Sequence, residues 1–387
     1  MKMKVAVSMR LRLFVLLSLS SFLIMLNAVV LKAEQHAVGA VYTMTNDPAG
    51  NAVLVFDRFE DGTLTPAGTF LTGGSGTGGR EPDFGLANAG ALALSENDRL
   101  LFVVNPGSDD LSVFAVKKNG LTLLDRESSG GRQPISVTVN KDLVYVLNAG
   151  GNVGATDNIT GFTVSPHGKL SHLSNSTRPL SAGVTAPAQI LFTPDGRVLV
   201  VTEKATNVID TYTVDKHGRP TGPNVIPADA QTPFGIDIDR NRLFVSDDFN
   251  DAPGAGALSS YLVSDNGNLQ LISSAVPANE SGACWVVVSK DGRYVYVANT
   301  VSSTISIYSI ANHSARVIFD NAVQSVAGPT DMQFSRDGRF LYALAPDQLG
   351  QSSPGINFFR RDPRDGSLVP LSRVSGLPTS VDGLAAR

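Results

Sequence analysis

Val288-Ser289-Lys290-Asp291-Gly292-Arg293-Tyr294-Val295-Tyr296-Val297-Ala298-Asn299 is the stretch whose reading decides the fold. An apolar strand runs into Asp291-Gly292, a pair favoured in type I′ hairpin turns, and a second strand of β-branched and aromatic residues follows. That strand ends on a polar residue, Asn299. The same turn recurs at Asp195-Gly196 and Asp337-Gly338. The second strand recurs as Val41-Tyr42-Thr43, Leu101-Phe102-Val103, Val144-Tyr145-Val146, Leu199-Val200-Val201, Leu243-Phe244-Val245, Val295-Tyr296-Val297 and Leu341-Tyr342-Ala343, which makes seven copies. From the second copy on, the position past this strand holds Asn105, Asn148, Glu203, Asp247, Asn299 and Ala345, at spacings of 43, 55, 44, 52 and 46 residues. A period of that size with four short strands per unit predicts a β-propeller. A further glycine turn, between third and fourth strands, falls at Asp61-Gly62, Asn119-Gly120, His167-Gly168, His217-Gly218, Asn266-Gly267 and Asp365-Gly366; the sixth copy has Asn312-His313-Ser314 instead.

The first copy starts at its second strand, whereas the last is followed by Val381-Asp382-Gly383-Leu384-Ala385, similar to the inner-strand text Gly90-Ala91-Leu92-Ala93-Leu94. The expected fold is therefore all-β: a seven-bladed β-propeller over residues 34–387, with the C-terminal strand closing blade one and removing the free sheet edges. Residues 1–33 stand apart. Lys2, Lys4, Arg10 and Arg12 precede an apolar run from Leu13 to Leu26, and Ala33 offers a small residue at a cut site. This reads as a signal peptide and predicts a periplasmic or secreted protein with no membrane span after cleavage.

Composition narrows the function. Apolar residues form 42% of the chain and charged residues 17%, enough for a large core and too apolar for disorder. Cleavage after Ala33 would remove five basic residues and leave 26 against 35 acidic ones, a formal charge of −9 instead of −4. An acidic protein without a basic stripe argues against nucleic-acid binding. Cys284 is the lone cysteine, so no internal disulfide is available. Gly74-Ser75-Gly76-Thr77-Gly78-Gly79 matches G-x-G-x-x-G, but no helix follows, and it reads as a flexible loop. The five histidines lack metal-ligand spacing, and none is placed for a Ser-His-Asp triad. Asp247, Asp248, Asn250 and Asp251 form an oxygen-rich loop whose spacing misses the twelve-residue calcium pattern. Neither metal nor cofactor is expected.

The long connections, Thr72 to Asn88, Ala149 to Asn158, Asp248 to Leu258 and Pro346 to Gly355, all belong on one face of the ring, where binding is expected. One register across the inner strands holds Ala91, Ser136, Gln189, Gly235, Trp285 and Asp331, closed by Asp382 or Gly383. Glu203, Lys204, Asp247, Arg80 and Arg132 lie beside it in the repeat. Gln189, Trp285, Asp331, Lys204, Asp247, Arg80 and Arg132 are the candidate ligand-binding residues, and Glu203 the candidate catalytic one. Asn, Asp and Glu at strand ends also commonly tie down local turns by hydrogen bonds.

The segment Phe192 to Val214, with Pro194-Asp195-Gly196-Arg197 and Val201-Thr202-Glu203-Lys204-Ala205-Thr206-Asn207, resembles the lactonase family of seven-bladed propellers. That family includes 6-phosphogluconolactonase-like and 3-carboxymuconate-cyclase-like proteins. Tyr296-Val297-Ala298-Asn299 with Ile305-Ser306-Ile307-Tyr308 is also similar to the repeat of bacterial surface propellers. The resemblance implies a histidine before the inner strand of blade four, where this chain has Ala186-Pro187-Ala188-Gln189. It further implies aspartates at Glu203 and Asn207 and an arginine at Val208; of these only Glu203 keeps a carboxylate. Two functions are therefore expected: a scaffold binding a small molecule or another exported protein through its long-loop face, or an enzyme opening or forming a small lactone. The enzyme reading needs an acid/base and a cation, for which Glu203 and Lys204 or Arg132 are the candidates.

Overall fold

The computed structural model describes residues 36–78, 88–311, 314–325, 327–346, 350 and 353–387. The signal-peptide reading and Arg80 lie outside the described residues. Seven antiparallel sheets follow one another along the chain, each starting from an inner strand. The inner strands of blades two to seven are Leu92–Leu94, Pro134–Asn140, Pro187–Phe192, Pro233–Asp239, Ala283–Val288 and Asp331–Phe334. The inner strand of blade one is Asp382–Ala386, which pairs with Gly39–Met44 through Tyr42↔Ala385 and Met44↔Asp382. The ring is closed by its own C-terminus, as the repeat text implies. A 3-10 turn at Gly150–Val153 interrupts the all-β pattern.

Second strands such as Val198–Glu203 and Phe340–Ala345 are buried at every position. Both faces of these strands are covered by neighbouring blades, which is why they read as near-continuous apolar runs. Outer strands such as Leu64–Leu71 are mostly exposed. The largest core cluster joins the facing sides of blades one to four, with Tyr42, Phe102, Tyr145, Phe162 and Tyr212 among its members. Each such fully buried side chain stabilises the ring by roughly 1.5–3 kcal/mol.

The Asp-Gly turns differ from the type I′ expectation. In Ser289-Lys290-Asp291-Gly292 the Gly292 N–H donates to the Ser289 carbonyl at 2.8 Å, and the left-handed conformation is taken by the glycine (φ +65°) and not by the aspartate. This is a type I turn followed by a left-handed glycine. The side chains choose it: the Ser289 hydroxyl donates to Asp291 Oδ1 at 2.6 Å, and the Arg293 N–H donates to the same oxygen at 3.2 Å. Thr193-Asp195-Arg197 and Ser335-Asp337-Arg339 repeat the arrangement.

The outer glycine turns fasten blade to blade. Tyr145, Tyr296 and Tyr342 of second strands donate their hydroxyls to the carbonyls of Gly218, Gly366 and Gly62, at 2.6, 2.7 and 3.1 Å. Each acceptor belongs to the outer hairpin of the next blade, with Gly62 of blade one serving blade seven. Gly366 has φ +75°, and a Cβ there would lie 2.5 Å from the Tyr294 ring, so conformation and packing both require glycine. Tyr296→Phe leaves the Gly366 carbonyl without this donor; calorimetry should show a loss of about 1 kcal/mol, and an unchanged stability would deny the lock any weight.

The glycine run after Thr72 is not a free loop over its described part. Gly76 and Gly78 donate backbone N–H bonds to the Asp47 and Asn46 carbonyls at 2.8 and 2.9 Å. These bonds tie blade one to the segment leading toward blade two.

Candidate functional site

The inner strands turn one edge toward the central channel, where backbone N–H groups would have no strand partner. Side chains from the preceding blade satisfy several of them. Ser136 Oγ accepts from the Ile190 N–H at 3.3 Å, Gln189 Oε1 from Ile236 at 2.7 Å, Asp237 Oδ2 from Val288 at 2.7 Å and Asp331 Oδ2 from Leu384 at 3.0 Å. Gln189 and Asp331 therefore line the channel and link blades at the same time. A cavity of about 490 Å³ runs along this wall past Gln189, Asp237, Trp285 and Asp331. It extends to Glu96, Asp98, Lys290 and Arg336, which sit on the short turns opposite the long loops. Toward the long-loop end, Trp285 Nε1 donates to the Asn88 carbonyl across the ring at 2.7 Å. Ala89, Ala188, Phe234 and Trp285 pack around that bond as an apolar plug.

The remaining candidates do not gather around this cavity. Glu203 is fully buried; its carboxylate accepts from the Ser181 N–H at 2.9 Å and from the Ser181 and Thr206 hydroxyls. Asp210, on the neighbouring strand, is pushed up by burial and by its hydrogen bond and charge contact with Glu203. Asp247 is likewise fully buried, accepts from the Ser259 hydroxyl at 2.6 Å and is pushed up to about 7 by burial. Asn105 with Ser112, at 2.8 Å, and Asn299 with Ser306, at 2.7 Å, are the corresponding pairs in other blades. The polar residue at the end of each of these second strands is thus a clasp to the third strand. Arg132 is exposed and pairs with Asp109 on the long-loop face.

Lys204 stands nearer the ring centre. Its ammonium lies 4.6 Å from the centroid of Phe234, which packs on Trp285 with ring centroids 5.1 Å apart. The Lys204 charge acts on Cys284, which belongs to a group that lies apart in the sequence: Asp248 and Asp251 from one long loop and Cys284 from the next inner strand, with ligand atoms all within 4.8 Å of one another. Burial and the Asp251 charge push Asp248 up toward neutrality. Asp251 is also raised by burial, but a hydrogen bond with Asp248 favours its charged form. Burial, followed by the Asp248 charge, pushes the Cys284 thiol well up, so it stays neutral and is no nucleophile. The acids are visible in the sequence as an oxygen-rich loop. Their meeting with Cys284, some thirty residues on, requires the fold.

A family model described as "Lactonase, 7-bladed beta-propeller" matches residues 49–183 and 257–382. A 6-phosphogluconolactonase of Yersinia enterocolitica is 24% identical over 345 residues, covering 75% of this chain and 99% of its own. Among solved structures, a Lactobacillus plantarum protein superposes with a TM-score of 0.70 at 16% identity, covering 90% of this chain and 99% of that one. The periplasmic gluconolactonase of Pseudomonas aeruginosa superposes with a TM-score of 0.68 at 18% identity, covering 88% and 98%. These two structural likenesses are likenesses of fold.

Proposed function

The chain belongs to the lactonase family of seven-bladed β-propellers, and on that premise we propose that it hydrolyses a small sugar-type lactone at the Asp248–Asp251–Lys204 cluster on its long-loop face. The observation that carries the reading is the unequal acid pair. Asp248 is 4% exposed and pushed up to about 7 by burial and the Asp251 charge, whereas Asp251 is only partly buried and, though burial raises it too, a hydrogen bond with Asp248 favours its charged form. Two carboxyls whose environments separate their proton affinities supply an acid and a base together. Asp251 takes a proton from water as the water oxygen bonds to the lactone carbonyl carbon. The Lys204 ammonium stabilises the developing oxyanion. The ring C–O bond then breaks, and Asp248 delivers its proton to the departing alkoxide. The pair ends with one proton, as it began. Kinship with a 6-phosphogluconolactonase and a fold shared with a gluconolactonase support this substrate class.

The test is an assay of the purified protein on gluconolactone and its phosphorylated form, beside Asp251→Asn and Lys204→Met. Loss of the base should lower kcat by about 100-fold or more. No activity above the buffer rate, or full activity in Asp251→Asn, would overturn the reading.

A further inference from the structure

The apolar plug around Trp285 lies across the long-loop end of the central cavity, whose other end opens among the short turns. The wall of that open end is divided. Blades two, three and four contribute Leu94, Val139 and Leu191, apolar side chains left half-buried. Blades five to seven contribute Asp237, Lys290, Gln333 and Arg336 instead. Two of these are already engaged. Arg336 is paired with Asp98, and Asp237 accepts through both oxygens, from the N–H groups of Ile238 at 2.8 Å and Val288 at 2.7 Å. Lys290 and Gln333 are not: among the described residues the exposed Lys290 ammonium has no ion-pair partner, and the half-buried Gln333 amide has no hydrogen bond. Half-exposed apolar side chains on one arc of a cavity and unpaired donors on the other are how pockets hold small molecules, apolar body against the wall and polar group oriented.

We propose that the short-turn end of the channel is a second ligand site, for an amphiphilic monocarboxylate such as a medium-chain fatty acid. Its chain lies along Leu94, Val139 and Leu191, and its carboxylate on Lys290 and Gln333. The volume of about 490 Å³ falls in the range of small-molecule pockets. Charge selects the head group. An ammonium and an amide N–H₂ are donors that suit a carboxylate. Lys290 and Arg336 at the mouth disfavour a cation, and Glu96 and Asp98 beside them disfavour a dianion such as phosphate. Length agrees with this choice. Trp285 and Val288 stand roughly 10 Å apart along their strand, the reach of an extended eight-carbon chain, and Lys290 follows on the turn beyond. The tail of the ligand ends under the Trp285 indole, which separates it from the Asp248–Asp251–Lys204 cluster on the long-loop face.

Trp285 is the single tryptophan of the chain and lines the cavity, so its fluorescence reports occupancy directly. Titration of the full protein with sodium octanoate at pH 7 should give a saturable change in Trp285 emission. Acetate, the head without the chain, and octanol, the chain without the charge, should each bind at least about tenfold more weakly. Lys290→Met removes an exposed ammonium and should weaken octanoate binding at least about tenfold at unchanged Tm. Gln333→Lys adds a second ammonium and should tighten it, a gain that misfolding cannot mimic. An absence of saturable change with octanoate would overturn the proposal, as would equal binding by Lys290→Met or equal binding of octanol. So would loss of binding in Lys204→Met with retention in Lys290→Met, which would put the carboxylate on the long-loop face.

Discussion

Deletion of residues 379–387 is expected to abolish the cooperative unfolding transition of the propeller. The segment carries the inner strand of blade one, and its loss exposes both blade one and the wall it shares with blade seven. Val381, Leu384 and Ala385 are at most 5% exposed. Val381 and Leu384 pack in a cluster with Val41, Phe340, Tyr342 and Ile356, whose cover would go with them. At roughly 1.5–3 kcal/mol for each large apolar side chain, this loss alone approaches the 5–15 kcal/mol by which whole domains are stable. Hydrogen bonds add to it: Arg387 exchanges backbone bonds with Ala40 at 2.9 and 3.3 Å, and Arg58 Nε donates to the Arg387 carbonyl at 3.0 Å. A truncated protein should bind a hydrophobic dye and lose its thermal transition. Moving residues 379–387 ahead of Val38 through a short glycine turn should restore it, because every other blade has its inner strand in that position. A truncated protein melting within a few degrees of the intact one would refute ring closure as a source of stability.

The second large effect is on pH. Stability should fall as pH rises from about 5 to about 9, with chelator present to exclude divalent ions. Asp331 is pushed up to about 8 and Asp247 to about 7, both chiefly by burial, and Asp210 is pushed up by burial and Glu203. In the unfolded chain these groups release their protons near pH 4. Between pH 4 and 8 the folded protein therefore binds more protons than the unfolded one, and raising the pH favours unfolding. Below pH 4 both states are protonated and these groups contribute nothing; above pH 8 the penalty is complete. Every tenfold difference in proton affinity between folded and unfolded chain corresponds to about 1.4 kcal/mol, so three buried carboxyls together cost several kcal/mol at alkaline pH. Asp210→Asn removes one titration while keeping a donor toward Glu203, and should raise Tm at pH 9 with little change at pH 5. Melting curves showing greater stability at pH 9 than at pH 5 would contradict this assignment.

The legibility of the chain differs between scaffold and site. Seven second strands, the glycine turns and the C-terminal text similar to Gly90–Leu94 can be read because period, turn residues and strand patterning are local properties of the sequence. Glu203 illustrates the limit. It is a carboxylate where three other copies carry asparagine, yet it occupies the same clasp as Asn105 and Asn299, with Ser181, Thr206 and Asp210 taking up its oxygens. Sequence difference marks it, and only burial tells what it touches. The type I′ reading of Asp291-Gly292 fails for a related reason, since Ser289 and Arg293 bind the aspartate and set the turn.

The sequence alone thus determined the number of blades, their strand order and the way the ring shuts, since each follows from hydrogen bonding and burial within a repeat of nearly constant length. Tertiary structure alone decided which polar groups meet across repeats. Asp248 and Cys284, Trp285 and Asn88, and Asp331 and Leu384 come together only when seven sheets are wound around one axis, and these partners stand up to 197 positions apart. The physical reason is that a residue's proton affinity and availability depend on burial and on neighbours contributed by other blades, and the local text carries neither.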